Sequence, residues 1–279
     1  MADDAGDTQL AAPWGKPTPA RMYDYYLGGK DNFEPDRSAA DQIIAKIGVE
    51  KTRFVAWESR RFLWRAVEYL SGECGVSQFI DVGAGLPTMR NTHEIAQAVN
   101  PAARVVYVDN DPIVLSHGRA LLARDGATAI VTADMRAPET ILDAPETRSL
   151  IDFSRPVGVL FVAVFHFVAT ADHPRYVQGH ASPGEIMAVF RDRVAPGSYV
   201  AVTHVSSEEA SPEVVAAAEE GYNSATAPMI VRRRSEIEAL FGGWRLLPPG
   251  VVPAWQWHSG PHEAPRTGLI LGGVGVTGM

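Results

Sequence analysis

Phe79-Ile80-Asp81-Val82-Gly83-Ala84-Gly85 is the stretch on which the reading of this chain turns. An apolar run of strand character enters a Gly-x-Gly turn, and Thr92 to Val99 then carries the apolar spacing of a helix. Strand, glycine turn and helix form the opening unit of a nucleotide-binding α/β sheet, in which glycines let the backbone approach a ligand closely. On its own, Gly-x-Gly is as good a signature of an ordinary structural turn, so its surroundings have to decide.

Outward from that turn, short aliphatic runs alternate with helical stretches. The runs are Phe79 to Val82, Arg104 to Val108, Ala127 to Thr132, Val157 to Val164 and Ser198 to Thr203, with a late strand at Leu269 to Val276. Helices are expected at Thr92 to Val99, Pro112 to Arg124, Pro138 to Leu150, Glu185 to Val194, Glu213 to Tyr222 and Ser235 to Phe241. Such alternation builds βαβ units and a parallel sheet. Before it, Pro35 to Glu73 is helical, with Phe62, Leu63, Ala66, Val67, Tyr69 and Leu70 on one broad apolar face that should pack on the sheet. Residues 1–19, rich in Ala, Pro, Asp and Gly, read as a tail whose first dozen residues are disordered. Residues 20–75 read as a helical extension and 76–279 as the Rossmann-like domain.

The chemistry-bearing residues fall at strand ends. A dinucleotide turn wants a third glycine where Thr88 stands, after Pro87, and Asp81 two residues before the first glycine repels a pyrophosphate but suits the ammonium of an amino-acid ligand. This favours S-adenosylmethionine over NAD on the Gly83, Ala84, Gly85 turn. Asp109, with Asn110 beside it, ends the second strand 24 residues after Gly85, where a carboxylate can accept from both ribose hydroxyls. Asp111 reads as the cap of the helix opening at Pro112. Past the third strand, Asp134 and Met135 are placed to meet the adenine amino group and ring, with an Asx-turn the alternative for Asp134. The fourth strand delivers Phe165-His166-Phe167 to the same edge. His166 is the candidate general base, or else a hydrogen-bonded wall residue, while a structural role is expected of His204.

Composition narrows the function classes. The 279 residues carry 25 Lys and Arg against 33 Asp and Glu, a formal charge of −8, which opposes generic binding to a phosphate backbone. Arg232-Arg233-Arg234, the one tight basic run, reads as a solvated face, and no nucleic-acid partner is expected. The longest apolar run, Pro156 to Val168, is shorter than the roughly 20 residues that span a bilayer, so no membrane partner is expected either. Cys74, the single cysteine, reads as a small buried side chain and points to the cytoplasm. His173 and His180 lack a third ligand at fixed spacing, so no metal is expected. Ser154, Ser206 and Ser207 lack the Gly-x-Ser-x-Gly turn of a hydrolase nucleophile.

The run Pro19-Ala20-Arg21-Met22-Tyr23-Asp24-Tyr25-Tyr26-Leu27-Gly28-Gly29-Lys30-Asp31-Asn32-Phe33 is distinctive. Together with Phe79 to Thr88, Val106 to Pro112, Pro156-Val157, His166-Phe167 and Ala195 to Tyr199, it resembles the S-adenosyl methyltransferase family of class I, Rossmann-like enzymes. The resemblance implies a mostly parallel seven-stranded sheet flanked by helices, with S-adenosylmethionine at the carboxyl ends of the early strands and S-adenosylhomocysteine as product. Ala84 and Met89-Arg90 depart from the residues common in such sequences. The N-terminal run reads as a lid hinged at Gly28-Gly29, with Tyr23 and Asn32 touching the methionine moiety or acceptor. Its alternative is a hook that holds the helix from Pro35. The expected activity is in-line methyl transfer to a small molecule, against a non-catalytic cofactor-binding regulator or an NAD-linked oxidoreductase.

Overall fold

The computed structural model describes residues 15–87, 90–122, 126–260 and 267–278. The expectations for the first dozen residues, for Thr88 and Met89, and for the last two residues of the helix drawn to Arg124 lie outside them. Helix α1 (Pro19–Leu27), α2 (Glu34–Ile47) and α3 (Val49–Gly72) precede β1 (Gln78–Val82), α4 (Thr92–Val99), β2 (Arg104–Asp109), α5 (Pro112–Leu122) and β3 (Thr128–Thr132). Then follow α6 (Pro138–Leu142), α7 (Pro145–Leu150), β4 (Gly158–Val162), α8 (Pro183–Arg193), β5 (Tyr199–Val205), α9 (Pro212–Gly221), α10 (Arg234–Leu240), β6 (Arg245–Leu246), β7 (Val252–Pro253) and β8 (Ile270–Val276).

The sheet runs β3-β2-β1-β4-β5-β8-β6, with β7 also paired to β8, so it has eight strands among the described residues where seven were expected. β6 and β7 supply two residues each, too few for any periodicity to register. β3, β2, β1, β4 and β5 are parallel and β8 is antiparallel to β5. Both faces are covered, which is why the central strands read as unbroken apolar runs. Ile80, Val82, Val106 and Val108 share one apolar cluster with Ile141 of α6, Leu150 of α7 and Ile186, Met187 and Phe190 of α8. Phe79, Val105 and Tyr107 face Phe62, Leu63, Ala66 and Leu70 of α3. A third cluster, Met22, Tyr26, Ala40, Ile43, Ala218 and Tyr222, joins α1, α2 and α9 above the strand ends.

Local chemistry explains the breaks. Pro145 splits the single helix expected over Pro138 to Leu150, because it has no N–H to give and its ring collides with the carbonyl four residues back. α4 opens on a capping box in which Glu94 accepts from the Asn91 N–H at 2.6 Å. Thr18, assigned to the tail by its sequence, is buried, and Cys74 is half-buried rather than enclosed. No helix among the described residues is long and apolar enough to cross a membrane.

Candidate active site

The glycine turn sits where β1 ends. Gly83 N–H and Ala84 N–H both donate to the Val108 carbonyl, at 2.8 and 3.1 Å, which ties the turn to β2. Gly83 has φ +70, and a Cβ there would lie 2.4 Å from Val164 Cγ2. A close approach to the segment after β4 therefore demands a glycine here. Gly85 has φ +67 with nothing within 4 Å of a Cβ, so space lies open on that side of the turn.

Asp109 closes the turn from β2. Its Oδ2 accepts from Gly85 N–H at 2.9 Å and its Oδ1 from Asp111 N–H at 2.9 Å. Burial pushes its carboxyl up to about 6, against the opposing pull of those N–H groups. Asp111 does cap α5, accepting from Ile113 N–H at 2.9 Å, but it does more than that. Its Oδ2 accepts from Thr18 Oγ1 at 2.8 Å and pairs with Arg21 Nη1 at 3.2 Å, while Arg21 Nε pairs with Asp36 at 2.8 Å. Arg21 is wholly enclosed. The N-terminal run is thus a hook that fastens α1 and α2 to the loop after β2.

Asn32 belongs to the same hook. Its Nδ2 donates to Asp24 at 2.8 Å and to the Gly29 carbonyl at 3.1 Å, and Asp24 also accepts from Asp31 N–H. A Cβ on Gly29 would overlap Asp24, so the second glycine of the hinge is required by packing. Asn32 does not line the main cavity, whereas Tyr23 does, with its hydroxyl donating to the Ala56 carbonyl at 2.9 Å.

Asp134 forms both an Asx-turn, accepting from Arg136 N–H at 2.9 Å, and an ion pair with the Arg136 guanidinium. Burial raises its carboxyl, but the Arg136 hydrogen bonds and charge outweigh that and hold it below the usual range. After β4, Ala163 takes a left-handed φ of 57 and a short 3-10 turn covers Phe165–Phe167. That turn sends Phe165 into the core, stacked on Phe161 at 4.4 Å, and presents His166 and Phe167 to the cavity. Phe165 therefore supports the site from beneath.

His166 is 4% exposed, and its buried Nδ1 has no hydrogen-bond partner. Burial, with the Arg232 charge second, pushes its imidazole down to about 3, so the ring is neutral. Arg232 corrects the reading of the basic run as a solvated face. It is buried, and it donates to the carbonyls of Phe165 at 3.0 Å and Val168 at 2.7 Å and contacts His204 Nε2 at 2.7 Å. Since His204 Nδ1 lies 2.8 Å from the Val205 carbonyl, its proton belongs on Nδ1 and Nε2 accepts from Arg232. Arg232 and His204 together pin the 3-10 turn that carries His166.

These elements bound one cavity of about 510 Å³. Tyr23, Gly83, Ala84, Gly85, Asp109, Asn110, Asp134, Met135 and His166 line it together. Asp81 does not. It sits behind the turn in a small adjoining cavity, also lined by Ala84, Gly85 and Asp109, and accepts from Thr92 Oγ1 at 2.6 Å. Sequence reasoning missed Ser59 and Arg60 of α3, which line the main cavity beside the glycine turn. Arg60 stands four residues after Ala56 and three before Leu63, on the apolar stripe of α3, and that misplaced cation was the available signal.

The model of the S-adenosyl methyltransferase family matches residues 8–278. The chain belongs to that family. Its reaction is methyl transfer and its cofactor S-adenosylmethionine. A proposed methyltransferase from Thermobifida fusca YX is 41% identical, with a TM-score of 0.86 over 99% of this chain and 100% of that one. A DUF574 family protein from Streptomyces avermitilis MA-4680 is 37% identical, with a TM-score of 0.85 over 95% and 98%. An O-methyltransferase family protein from Burkholderia thailandensis, 12% identical, shares the fold with a TM-score of 0.50 over 86% of this chain and 62% of its own. No curated protein matches the chain.

Proposed function

We propose that this methyltransferase acts on a small molecule held in the same cavity as the cofactor. The observation that carries the reading is the convergence of the glycine turn, Asp109, Met135 and His166 on one cavity. A volume of about 510 Å³ falls in the range of roughly 300–1,000 Å³ common to small-molecule sites. The residues fit a cationic aminoacyl nucleoside: a carboxylate at the β2 end for the ribose, Asp134 and Met135 for the adenine, and the Arg60 guanidinium beside the turn for the amino-acid carboxylate. Asp81, one shell further back, holds the turn through Thr92. The sulfonium supplies an already activated methyl group. What the protein adds is alignment and a dry site.

α1 to α3, which approximate the extension spanning 20–75, cover the cavity and are fixed there by Arg21, Asp36 and Asp111. We assign His166 to the acceptor. Held neutral, it can accept a hydrogen bond but cannot store a proton at neutral pH. A proton would pass to it only as the bond to carbon forms and the nucleophile becomes acidic. We place the enzyme in the cytoplasm on the strength of its single, unpaired cysteine.

Calorimetric titration with S-adenosylhomocysteine tests the cofactor site. Asp109 must be ionised to accept from both ribose hydroxyls, and its carboxyl in the free protein sits at about 6. Affinity should be constant above pH 7 and fall about tenfold by pH 5, since about nine-tenths of the carboxyl is then protonated. In Asp109→Asn affinity should be lower throughout and flat across that window. A wild-type affinity unchanged from pH 7.5 to 5 removes Asp109 from the ribose site, and NAD binding in place of S-adenosylhomocysteine would overturn the reading.

A further inference from the structure

An apolar part of the cavity wall is formed by Ile43 of α2, Val55 of α3, Val214 and Ala218 of α9, Met229 and Phe167. These come from elements far apart in sequence, and most belong to or pack on the apolar cluster that joins α1, α2 and α9. The charges that line the cavity are already engaged or lie elsewhere. Arg21 is paired with Asp111, and Arg136 with Asp134. Asp109 and Arg60 stand at the glycine turn, and Lys51 is exposed at the mouth. A ligand carrying its own full charge would lie against this apolar wall without a counter-ion, which desolvation penalises heavily.

Three polar rings line the cavity along that wall, His166, Tyr26 and Tyr222, and the two tyrosines engage each other through their hydroxyls. His166 lines the cavity, is 4% exposed, and keeps an Nδ1 with no hydrogen-bond partner. Arg232, fixed against the backbone of the same turn, opposes any second positive charge there. Tyr23 has its hydroxyl committed to the Ala56 carbonyl, so it offers no further donor.

We propose that the methyl acceptor is an uncharged, largely apolar molecule seated among α2, α9 and Met229, whose single nucleophilic O–H or N–H donates to the His166 imidazole. This deepens the reading of the cavity as a two-ligand site and rests on it. The acceptor's donor group bonds to the edge of the ring that lines the cavity, and the apolar body lies against Ile43 of α2 and Val214 and Ala218 of α9. In the transfer the acceptor oxygen or nitrogen gains the bond to the methyl carbon, the sulfur–methyl bond breaks with its electron pair left on sulfur, and the proton departs through the imidazole to water.

A matched series separates the possibilities. 2-Naphthol, 2-methoxynaphthalene, 2-naphthoate and naphthalen-2-ylmethylammonium share one apolar body and differ in donor and charge. Their binding is read by tryptophan fluorescence at pH 7.5, with and without saturating S-adenosylhomocysteine. 2-Naphthol is expected to bind at least tenfold tighter than either charged analogue and about fivefold tighter than the methoxy compound. His166→Phe should bring 2-naphthol and 2-methoxynaphthalene to equal affinity. Val214→Phe should weaken both at least tenfold while S-adenosylhomocysteine affinity stays within twofold of wild type. Equal or tighter binding of a charged analogue, no binding by any of the four, or an unchanged 2-naphthol affinity in Val214→Phe overturns the proposal. Failure of S-adenosylhomocysteine to bind, with the naphthol preference intact, would instead reject the cofactor half of the site.

Discussion

Replacing Arg21 by alanine is expected to lower the unfolding free energy by about 3–5 kcal/mol, which corresponds to a fall of roughly 10 °C in thermal midpoint for a chain of this size. The reason lies in what is left behind. Arg21 is wholly enclosed and pairs with Asp36 at 2.8 Å and Asp111 at 3.2 Å, so truncation strands two buried carboxylates. Asp36 would still accept from Thr18 N–H and Phe33 N–H, and Asp111 from Thr18 Oγ1 and Ile113 N–H, but neutral donors do not replace a guanidinium. Removing all three charges together, as Arg21→Met with Asp36→Asn and Asp111→Asn, should recover at least half of the loss, since no orphaned charge remains. S-Adenosylhomocysteine affinity should fall with stability in the single variant, because the Asp111 N–H holds Asp109 Oδ1. A loss below about 1 kcal/mol on thermal or urea denaturation would mean that the hook is a surface ion pair in effect, of the kind worth little.

The same hook shows how far the sequence could be read. The run from Arg21 to Asn32 announces itself by its density of hydrogen-bonding residues, but nothing in its spacing says that Arg21 reaches Asp111, 90 residues away. Its polar groups chiefly satisfy one another, Asp24 with Asp31 and Asn32, Arg37 with Asn32. Asn32 bonds within the run, to Asp24 and the Gly29 carbonyl, while Tyr23 lines the cavity. Strand positions and acids at strand ends were legible because a parallel sheet buried on both faces leaves unbroken apolar runs, each ending at a fixed edge. The 3-10 turn after β4 was not. Phe165 and His166 look equivalent as neighbours, and only the turn decides that one enters the core and the other the cavity.

Arg232 was misread for a related reason. In the sequence it is one of three arginines before a helix, and Arg233 does lie largely exposed. Burial of the first depends on the Phe165 and Val168 carbonyls being turned toward it, a tertiary fact with no local trace. The apolar part of the cavity was invisible for the same cause, being assembled from α2, α9 and the segment around Met229 only once α1 and α2 are hooked over the sheet.

Gly83→Ala is the substitution expected to damage the site most. Two separate costs act at this position. A residue with a Cβ at φ +70 pays about 1–2 kcal/mol for the left-handed backbone. The Cβ would also lie 2.4 Å from Val164 Cγ2, an overlap that overpacking studies put at about 1–3 kcal/mol. Val164 is branched and stiff, so it cannot swing away cheaply. The strain relaxes by moving the turn, and with it Gly85 N–H and the Asp109 carboxylate it holds at 2.9 Å. S-Adenosylhomocysteine affinity should therefore drop at least hundredfold, or about 2.7 kcal/mol, with stability falling by about 2–5 kcal/mol. Gly85→Ala is the control that separates the two costs, because its φ of +67 is equally left-handed yet nothing lies within 4 Å of its Cβ. It should lose only the backbone term. Gly83→Ala combined with Val164→Ala should recover the steric share and no more. Equal stability losses in the two single glycine variants, or no recovery in the double variant, would show that contact with Val164 is not what requires the first glycine of the turn.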